Sequence, residues 1–132
     1  MAQDEVKMMA QVKSVGKQYL MTDFKLNSLF KALPGVLEPA EKIIDIIRGD
    51  HGLKDFVVVA TDKRIMFVAK PLIGGLTVKE NDYSKIASIA FDEGFLWSNL
   101  NVNLKDGSKL TLKVLVKGEG KPFVEKTNKH LK

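Results

Sequence analysis

Two neighbouring segments of the chain are apolar on both faces when they are read as β-strands. In VVVATDKRIMFVAK, residues 57–70, the polar TDKR separates two apolar runs. Successive side chains of a strand point to opposite faces, so a strand with one face in water normally alternates apolar and polar residues. These runs therefore predict a hairpin that is covered on both sides. TDKR is predicted to be its turn, with Lys63 and Arg64 solvated or paired rather than binding a ligand.

The period of two continues through most of the chain after residue 42. Seven short β-rich segments are separated by turn-bearing or Gly-bearing connections, and they span residues 43–49, 55–61, 64–70, 76–82, 85–92, 100–105 and 109–117. Closely spaced short strands predict an antiparallel barrel or sandwich. After Pro122 the apolar residues return to helical spacing, so we expect a C-terminal helix that closes one end of a barrel.

The last hairpin allows its register to be predicted. Leu100, Val102 and Leu104 alternate with polar residues, as do the leucines and valines after residue 109. Opposed residues share a face, so Leu104 is predicted to pair with Leu110 across the loop Asp106-Gly107-Ser108. The lysines then fall on the outer face, and they are Lys105, Lys109, Lys113 and Lys117. They either keep an exposed strand soluble or form an anion-attracting stripe.

The N-terminal part has the period of a helix. Apolar or aromatic residues recur at steps of three or four in the first 22 residues, at Ala2, Val6, Met9, Val12, Val15 and Tyr19. A second such pattern begins at Phe24 and is stopped by Pro34-Gly35. These spacings predict one or two helices before the strands. We divide the chain into an N-terminal helical segment, residues 1–40, and a barrel with its C-terminal helix, residues 41–132, within a single compact domain.

Composition and spacing argue against several classes of protein. The absence of cysteine excludes disulfides, thiolate metal sites and a cysteine nucleophile. No secretory signal or run of roughly 20 apolar residues is visible, so a cytoplasmic location is expected. His51 and His130 lie in different elements and have no Ser or carboxylate at diagnostic spacing. We therefore expect no enzyme, no cofactor and no metal site.

The positive charge is concentrated near the C-terminus. From residue 105 onward there are eight Lys and three acidic residues, so this end carries the whole net charge of +5. Such asymmetry favours acidic partners, including anionic membranes and nucleic acid. The last two strands contain no Phe or Trp on which bases could stack. Nucleic-acid binding is therefore only a minor alternative.

The order of elements resembles that of a known family. The hairpin FVVVATDKRIMFV, the segment YSKIASIAFDEG and the hairpin LNVNLKDGSKLTL are similar to bacterial pleckstrin-homology (PH) domains of the YokE-like group, over about residues 30–131. The resemblance implies a mainly β, seven-stranded antiparallel barrel capped by a C-terminal helix, without a catalytic element and with relatives that self-assemble. Eukaryotic relatives that bind inositol phosphates crowd basic residues into the first loop. Here Asp50 and Asp55 offset Lys54, so specific phosphoinositide binding is not expected.

The first functional hypothesis is a non-catalytic binding or scaffolding module that acts through protein contacts, including self-association. Either the N-terminal helices or a second subunit must cover the outer face of the two-sided hairpin. The candidate contact residues are Val57, Val59, Met66 and Val68 on the hairpin and Leu26, Leu29 and Phe30 on the second helix.

The alternative is peripheral binding to an anionic membrane surface, which would give weak binding of anionic lipid. The loops KPLIGGL and EGFLWSN carry apolar residues that either form an exposed patch or fold back into the barrel. The candidate residues are Lys54, Lys70, Leu72, Ile73, Phe95, Leu96 and Trp97, together with the four lysines of the last hairpin.

Overall fold

The computed structural model of the chain describes residues 4–17, 20, 24–51, 54–69, 75–94, 98–114 and 118–131. In this part of the chain, two helices lead into seven antiparallel strands, and a third helix follows them, as predicted. The helices are α1 (Glu5–Ser14), α2 (Phe24–Ala32) and α3 (Gly120–Asn128), and the strands are β1 (Ile43–His51), β2 (Lys54–Thr61), β3 (Arg64–Ala69), β4 (Thr77–Asp82), β5 (Ile86–Glu93), β6 (Ser98–Leu104) and β7 (Lys109–Val114). Short 3-10 turns follow α2 at Leu33–Gly35 and β4 at Tyr83–Lys85.

The strands form one sheet in the order β4-β3-β2-β1-β7-β6-β5. Among the described residues, β1 and β7 pair through Gly49 with Val114 and Asp50 with Lys113, which joins the two halves of the sheet. A Cβ atom at Gly49 would collide with the Lys113 carbonyl and the Leu112 side chain. Glycine at this position therefore permits β7 to approach β1.

The predicted mainly β fold of seven antiparallel strands with a C-terminal helix is confirmed, but the sheet is not closed into a barrel. Among the described residues, β4 and β5 each pair with a strand on one edge only. These two strands are consecutive in the chain, but the 3-10 turn Tyr83–Lys85 separates them and β5 pairs with β6 instead. The alternation of residues within a strand shows which face is buried. It does not show whether the end strands meet.

The sheet is apolar on both sides and has a separate cluster of buried residues on each. The inner core joins the sheet to α3 and consists of Ile47, Val58, Ala60, Ile65, Phe67, Tyr83, Ile86, Ile89, Leu100, Val102, Leu112, Val114 and Phe123. The outer core joins β1–β3 to the N-terminal helices and consists of Met8, Val12, Leu20, Leu29, Phe30, Leu33, Leu37, Ile46, Val57, Val59, Met66 and Val68. The two-sided hairpin is thus covered on both faces, and the N-terminal segment of the same chain covers the outer one.

Helix α1 is shorter than predicted, and only part of the predicted face packs on the sheet, with Met9 and Val15 lying against the outer core. Its first turn is capped by Asp4, whose side chain accepts a hydrogen bond from the Lys7 amide at 2.7 Å. Met8 and Val12 are buried, whereas Val6 is 81% exposed. The helix ends at Ser14, and Gly16 then takes a positive φ of 80°. Left-handed backbone of this kind is typical of a helix end.

The last hairpin has a three-residue loop, but the predicted register was wrong by two residues. Val102, not Leu104, lies opposite Leu110. The Leu104 amide donates to the Ser108 carbonyl at 2.8 Å, which leaves residues 105–107 as the loop. Gly107 takes a φ of 92°, and Asp106 accepts from the Ser108 amide at 2.8 Å. Turn geometry therefore decides the register, while the shift of two keeps every side chain on its predicted face.

We predict that Phe30→Ala destabilises the protein by about 3 to 5 kcal/mol, because Phe30 is a fully buried member of the outer core and its loss leaves a cavity. Urea unfolding followed by circular dichroism measures this change. Val6→Ala is the matched control on the exposed side of α1 and should change the stability by no more than about 0.5 kcal/mol. Equal effects of the two substitutions would show that the N-terminal helices are not held on the sheet.

Candidate functional site

The turn between β2 and β3 is bound to the segment that follows α2. The Arg64 guanidinium donates two hydrogen bonds to the Glu41 carboxylate, from Nε to Oε2 at 2.9 Å and from Nη2 to Oε1 at 2.8 Å. Thr61 Oγ1 donates to the same carboxylate at 2.6 Å, and Arg64 Nη2 also donates to the Val36 carbonyl at 3.0 Å. Arg64 forms a further ion pair with Glu80. Arg64 therefore ties the N-terminal segment to the hairpin.

Glu41 is buried and ionised, and Arg64 beside it is largely buried. Glu41 is 0% exposed, and this burial alone would raise the pKa of its carboxyl. Hydrogen bonds from Arg64 and Thr61 outweigh the burial and hold the pKa of Glu41 below its ordinary value. The hydrogen bond to Glu41 likewise raises the pKa of Arg64. Lys63 pairs with Glu38 at 2.6 Å, so both basic residues of TDKR are paired, as predicted.

Because the pKa of Glu41 is lowered in the folded protein, the free energy of unfolding depends on pH. A carboxyl whose pKa is lower in the folded state stabilises the protein above its ordinary pKa of 4.5, and this contribution is lost as the pH falls through the folded value. We predict that Glu41→Gln lowers the free energy of unfolding by about 3 kcal/mol at pH 7, because Arg64 loses its buried partner. The variant should also lose less of its remaining stability than the original protein when the pH is lowered, because it lacks the Glu41 carboxyl. Urea unfolding between pH 7 and acid measures both effects.

The control for this substitution is Glu93→Gln, which neutralises an exposed carboxylate at the end of β5. It should leave the stability at pH 7 within about 0.5 kcal/mol of the original. If Glu41→Gln and the unchanged protein lose stability identically in acid, the pair does not contribute as proposed.

A second buried acid links the two ends of the chain. Asp45 in β1 is 1% exposed and accepts a hydrogen bond from Lys17 Nζ at 2.8 Å. The same Lys17 ammonium donates to the Ile46 carbonyl at 2.7 Å and lies 3.3 Å from Glu119 before α3. Lys126 of α3 lies 3.6 Å from the other Asp45 oxygen. Asp45 thereby connects the segment after α1, β1 and the C-terminal helix.

A hollow of about 540 Å³ opens at one end of the sheet. Three turns meet there, those between β2 and β3, β4 and β5, and β6 and β7, together with the end of α3. The residues that line it and could bind a ligand are Lys63, Tyr83, Ser84, Lys105, Lys129 and His130. Asp62 and Asp82 also line it, so three lysines face two carboxylates.

Backbone hydrogen bonds hold the turns of the hollow together. The Tyr83 amide donates to the Lys63 carbonyl at 3.4 Å, and the Lys105 amide donates to the Lys85 carbonyl at 3.0 Å. The Tyr83 hydroxyl donates to the Thr61 carbonyl at 2.6 Å. Burial, with smaller contributions from nearby acids, raises the pKa of Tyr83, so the hydroxyl stays a donor. The His130 ring stacks on the Tyr83 ring at 5.2 Å. The wall of the hollow is therefore fixed in place.

The residues predicted for protein contact on the outer face are covered by the same chain. Val57, Val59, Met66, Val68, Leu29 and Phe30 are all buried in the outer core. Leu26 lies in α2, and its side chain is outside the described residues. The sequence predicted that either the N-terminal helices or a second subunit would cover the outer face. The N-terminal helices of the same chain cover it, so these side chains are not available to a partner.

The structure brings together few of the residues predicted for membrane or anion binding. Lys109 is exposed on β7, and Lys113 is partly exposed beside it. Lys105 lies in the hairpin turn rather than on the strand, and it lines the hollow. Lys54 belongs to β2, but its side chain is outside the described residues. The positions wholly outside them are Lys70, Leu72, Ile73, Phe95, Leu96, Trp97 and Lys117.

The free edge of β5 is a further candidate surface. Its partner β6 occupies one edge, and no strand of the described residues pairs with the other. Ala87, Ser88 and Ala90 are exposed, and residues 86–91, IASIAF, carry no charge. The edge strand β4, TVKEND, contains Lys79, Glu80 and Asp82. Charges and lysines usually protect an edge from pairing with another chain, so β5 is the less protected edge.

Two classes of site are not visible in the described part of the chain. No group of three or more His, Asp or Glu side chains there could hold a metal ion. None of the helices in that part has the length and apolar character that crossing a bilayer requires.

A bacterial PH domain family model matches residues 37–129. The chain belongs to the bacterial PH domain family. The match does not separate the YokE-like group, which stays a prediction. The matched region begins after α2, so both N-terminal helices lie outside it. No curated protein matches the chain.

Two solved structures share the fold of this PH domain. The C-terminal domain of an unknown protein from Leishmania infantum is 13% identical with a TM-score of 0.57, and the match covers 80% of this chain and 97% of that one. A DUF1696 family protein with a pleckstrin-homology domain from Shewanella loihica is 19% identical with a TM-score of 0.53, covering 80% and 94%. At these identities the likeness shows the fold alone.

Proposed function

We propose that this PH domain is a non-catalytic binding module that takes up an extended strand of a protein partner, including a second copy of itself, along the free edge of β5. The observation that carries the proposal is the uncharged edge IASIAF at the end of an open sheet. An unpaired edge presents a row of backbone N–H and C=O groups that a further strand can satisfy.

The contrast with β4 supports the choice of edge. A strand that approached β4 would meet Lys79, Glu80 and Asp82, whereas one that approached β5 between Ile86 and Phe91 would meet small or apolar side chains. Desolvating charged side chains opposes association, so the β5 edge favours pairing. Two copies could pair their β5 edges antiparallel, which gives a closed two-fold dimer.

Self-association of this kind does not use the outer face. The outer core is already occupied by α1 and α2 of the same chain, so a second copy would have to displace both helices. Pairing along β5 would leave α1 and α2 in place, since these two helices cover β1–β3. The proposed contact therefore differs in position from the one that the two-sided hairpin alone suggested.

We predict that the protein forms dimers whose fraction rises with concentration, and that Ala90→Lys weakens the dimer by about tenfold or more, because it places a charge on the exposed edge. Light scattering after size exclusion measures both. The matched control is Thr77→Lys, an exposed position on β4, which should leave the dimer unchanged. A strict monomer at high concentration, or an equal effect of the two substitutions, would contradict strand pairing at β5.

Peripheral binding to anionic membranes is a second candidate, favoured by the exposed Lys105 and Lys109 at the tip of the last hairpin. It predicts sedimentation with anionic but not neutral liposomes, and weaker binding as salt screens the charges. Lys109→Gln should reduce the bound fraction, whereas Thr77→Gln, at an exposed position of the edge strand β4, should not. Absence of sedimentation at low salt would remove this candidate.

A further inference from the structure

We propose that a slot between the end of β4 and the β6–β7 turn binds a short- or medium-chain fatty acid. The residues that line the slot are Asn81, Ser84, Lys85, Leu104, Lys105 and Asp106. Its volume of about 310 Å³ lies at the lower end of the range for ordinary small-molecule sites, about 300 to 1,000 Å³. It shares Ser84 and Lys105 with the hollow, and its other four residues do not line the hollow. A small-molecule site here goes beyond the strand pairing proposed at the β5 edge.

The slot lies where the open sheet leaves the inner core incompletely covered. Leu100 and Val102 of β6 are fully buried, whereas Leu104, the next residue of that strand on the inner face, is only partly buried. Leu104 still packs against the inner core. Asn81 of β4 pairs with Ile65 of the inner core, so it faces the same side of the sheet. An aliphatic chain in the slot would cover Leu104 and extend the inner core, which is a favourable burial of apolar surface.

Two lysine side chains supply positive charge for the carboxylate of the fatty acid. Lys85 and Lys105 are exposed, and within the described residues neither of them forms an ion pair. The Lys105 amide donates to the Lys85 carbonyl at 3.0 Å, so the two residues lie side by side. Ser84 and Asn81 add a hydroxyl and an amide that can donate hydrogen bonds to carboxylate oxygens. A charge-assisted hydrogen bond from an ammonium group to a carboxylate is stronger than one between neutral groups.

The charge of the slot favours a ligand with a single negative charge. Asp106 accepts hydrogen bonds from the Ser108 hydroxyl at 2.6 Å and from the Ser108 amide at 2.8 Å. These hydrogen bonds lower the pKa of Asp106, so its carboxyl is ionised at pH 7. Two lysines and one carboxylate therefore leave one net positive charge. The carboxylate of a fatty acid balances this charge, whereas a doubly charged group would exceed it.

The test is calorimetric titration of the protein with octanoate. We expect saturable binding that weakens by about tenfold or more in the double variant Lys85→Gln/Lys105→Gln. The matched control is Lys63→Gln/Lys129→Gln, which removes the same charge from the neighbouring hollow. It should leave the affinity for octanoate within about twofold, because Lys63 and Lys129 do not line the slot. Thermal unfolding checks that both variants fold.

Three related compounds separate the contribution of the carboxylate from that of the chain. Acetate lacks the chain that would cover Leu104, and octanol lacks the charge, so each should bind about tenfold or more weakly than octanoate. N-acetylleucine presents a carboxylate beside a branched side chain, as the last residue of a protein does, and should also bind more weakly. Absence of octanoate binding, equal affinity for acetate or octanol, tighter binding of N-acetylleucine, or equal losses in the two double variants would overturn the proposal.

Discussion

The sheet is apolar on both sides, and the rest of the structure follows from the burial of both faces. Along β2, Val58 and Ala60 face the inner core, while Val57 and Val59 face the outer core. Burial of apolar surface is the main favourable term in folding, and a sheet left bare on one side would present a large apolar patch to water. The N-terminal helices supply the missing layer. They are therefore part of the folded unit, although the family match begins only after them.

Polar contacts determine where that layer sits. Apolar burial has no direction, so it would tolerate helices that slide along the sheet. Arg64 and Glu41 fix the segment after α2 to the β2–β3 turn, and Lys17 and Asp45 fix the segment after α1 to β1. Buried ion pairs often add little net stability, yet separating them leaves a charge without a partner. Such pairs therefore favour one position of the N-terminal helices on the sheet over other positions that would bury a similar apolar area.

The sequence predicts the elements far better than their assembly. The period of two marked all seven strands, with ends correct to within two residues wherever those ends lie among the described residues, because a half-buried strand displays its period in its own residues. The register of the last hairpin was wrong because a shift of two preserves every face, and only the local geometry at Gly107 decides it. The hollow was not predicted at all. Lys63, Tyr83, Lys105 and Lys129 lie in four distant parts of the chain, and each alone resembles an ordinary residue of a folded surface.

One local feature, the 3-10 turn Tyr83–Lys85, generates both candidate surfaces. It prevents β4 and β5 from forming a hairpin, so each keeps a free edge, and β5 is the edge without charge in its first six residues. The same turn carries Tyr83 and Ser84 into the wall of the hollow, and its Lys85 carbonyl receives the Lys105 amide. Strand β5 begins at Ile86, directly after that wall. The hollow and the β5 edge are therefore joined through one short turn, so a change in the backbone of that turn would alter both surfaces.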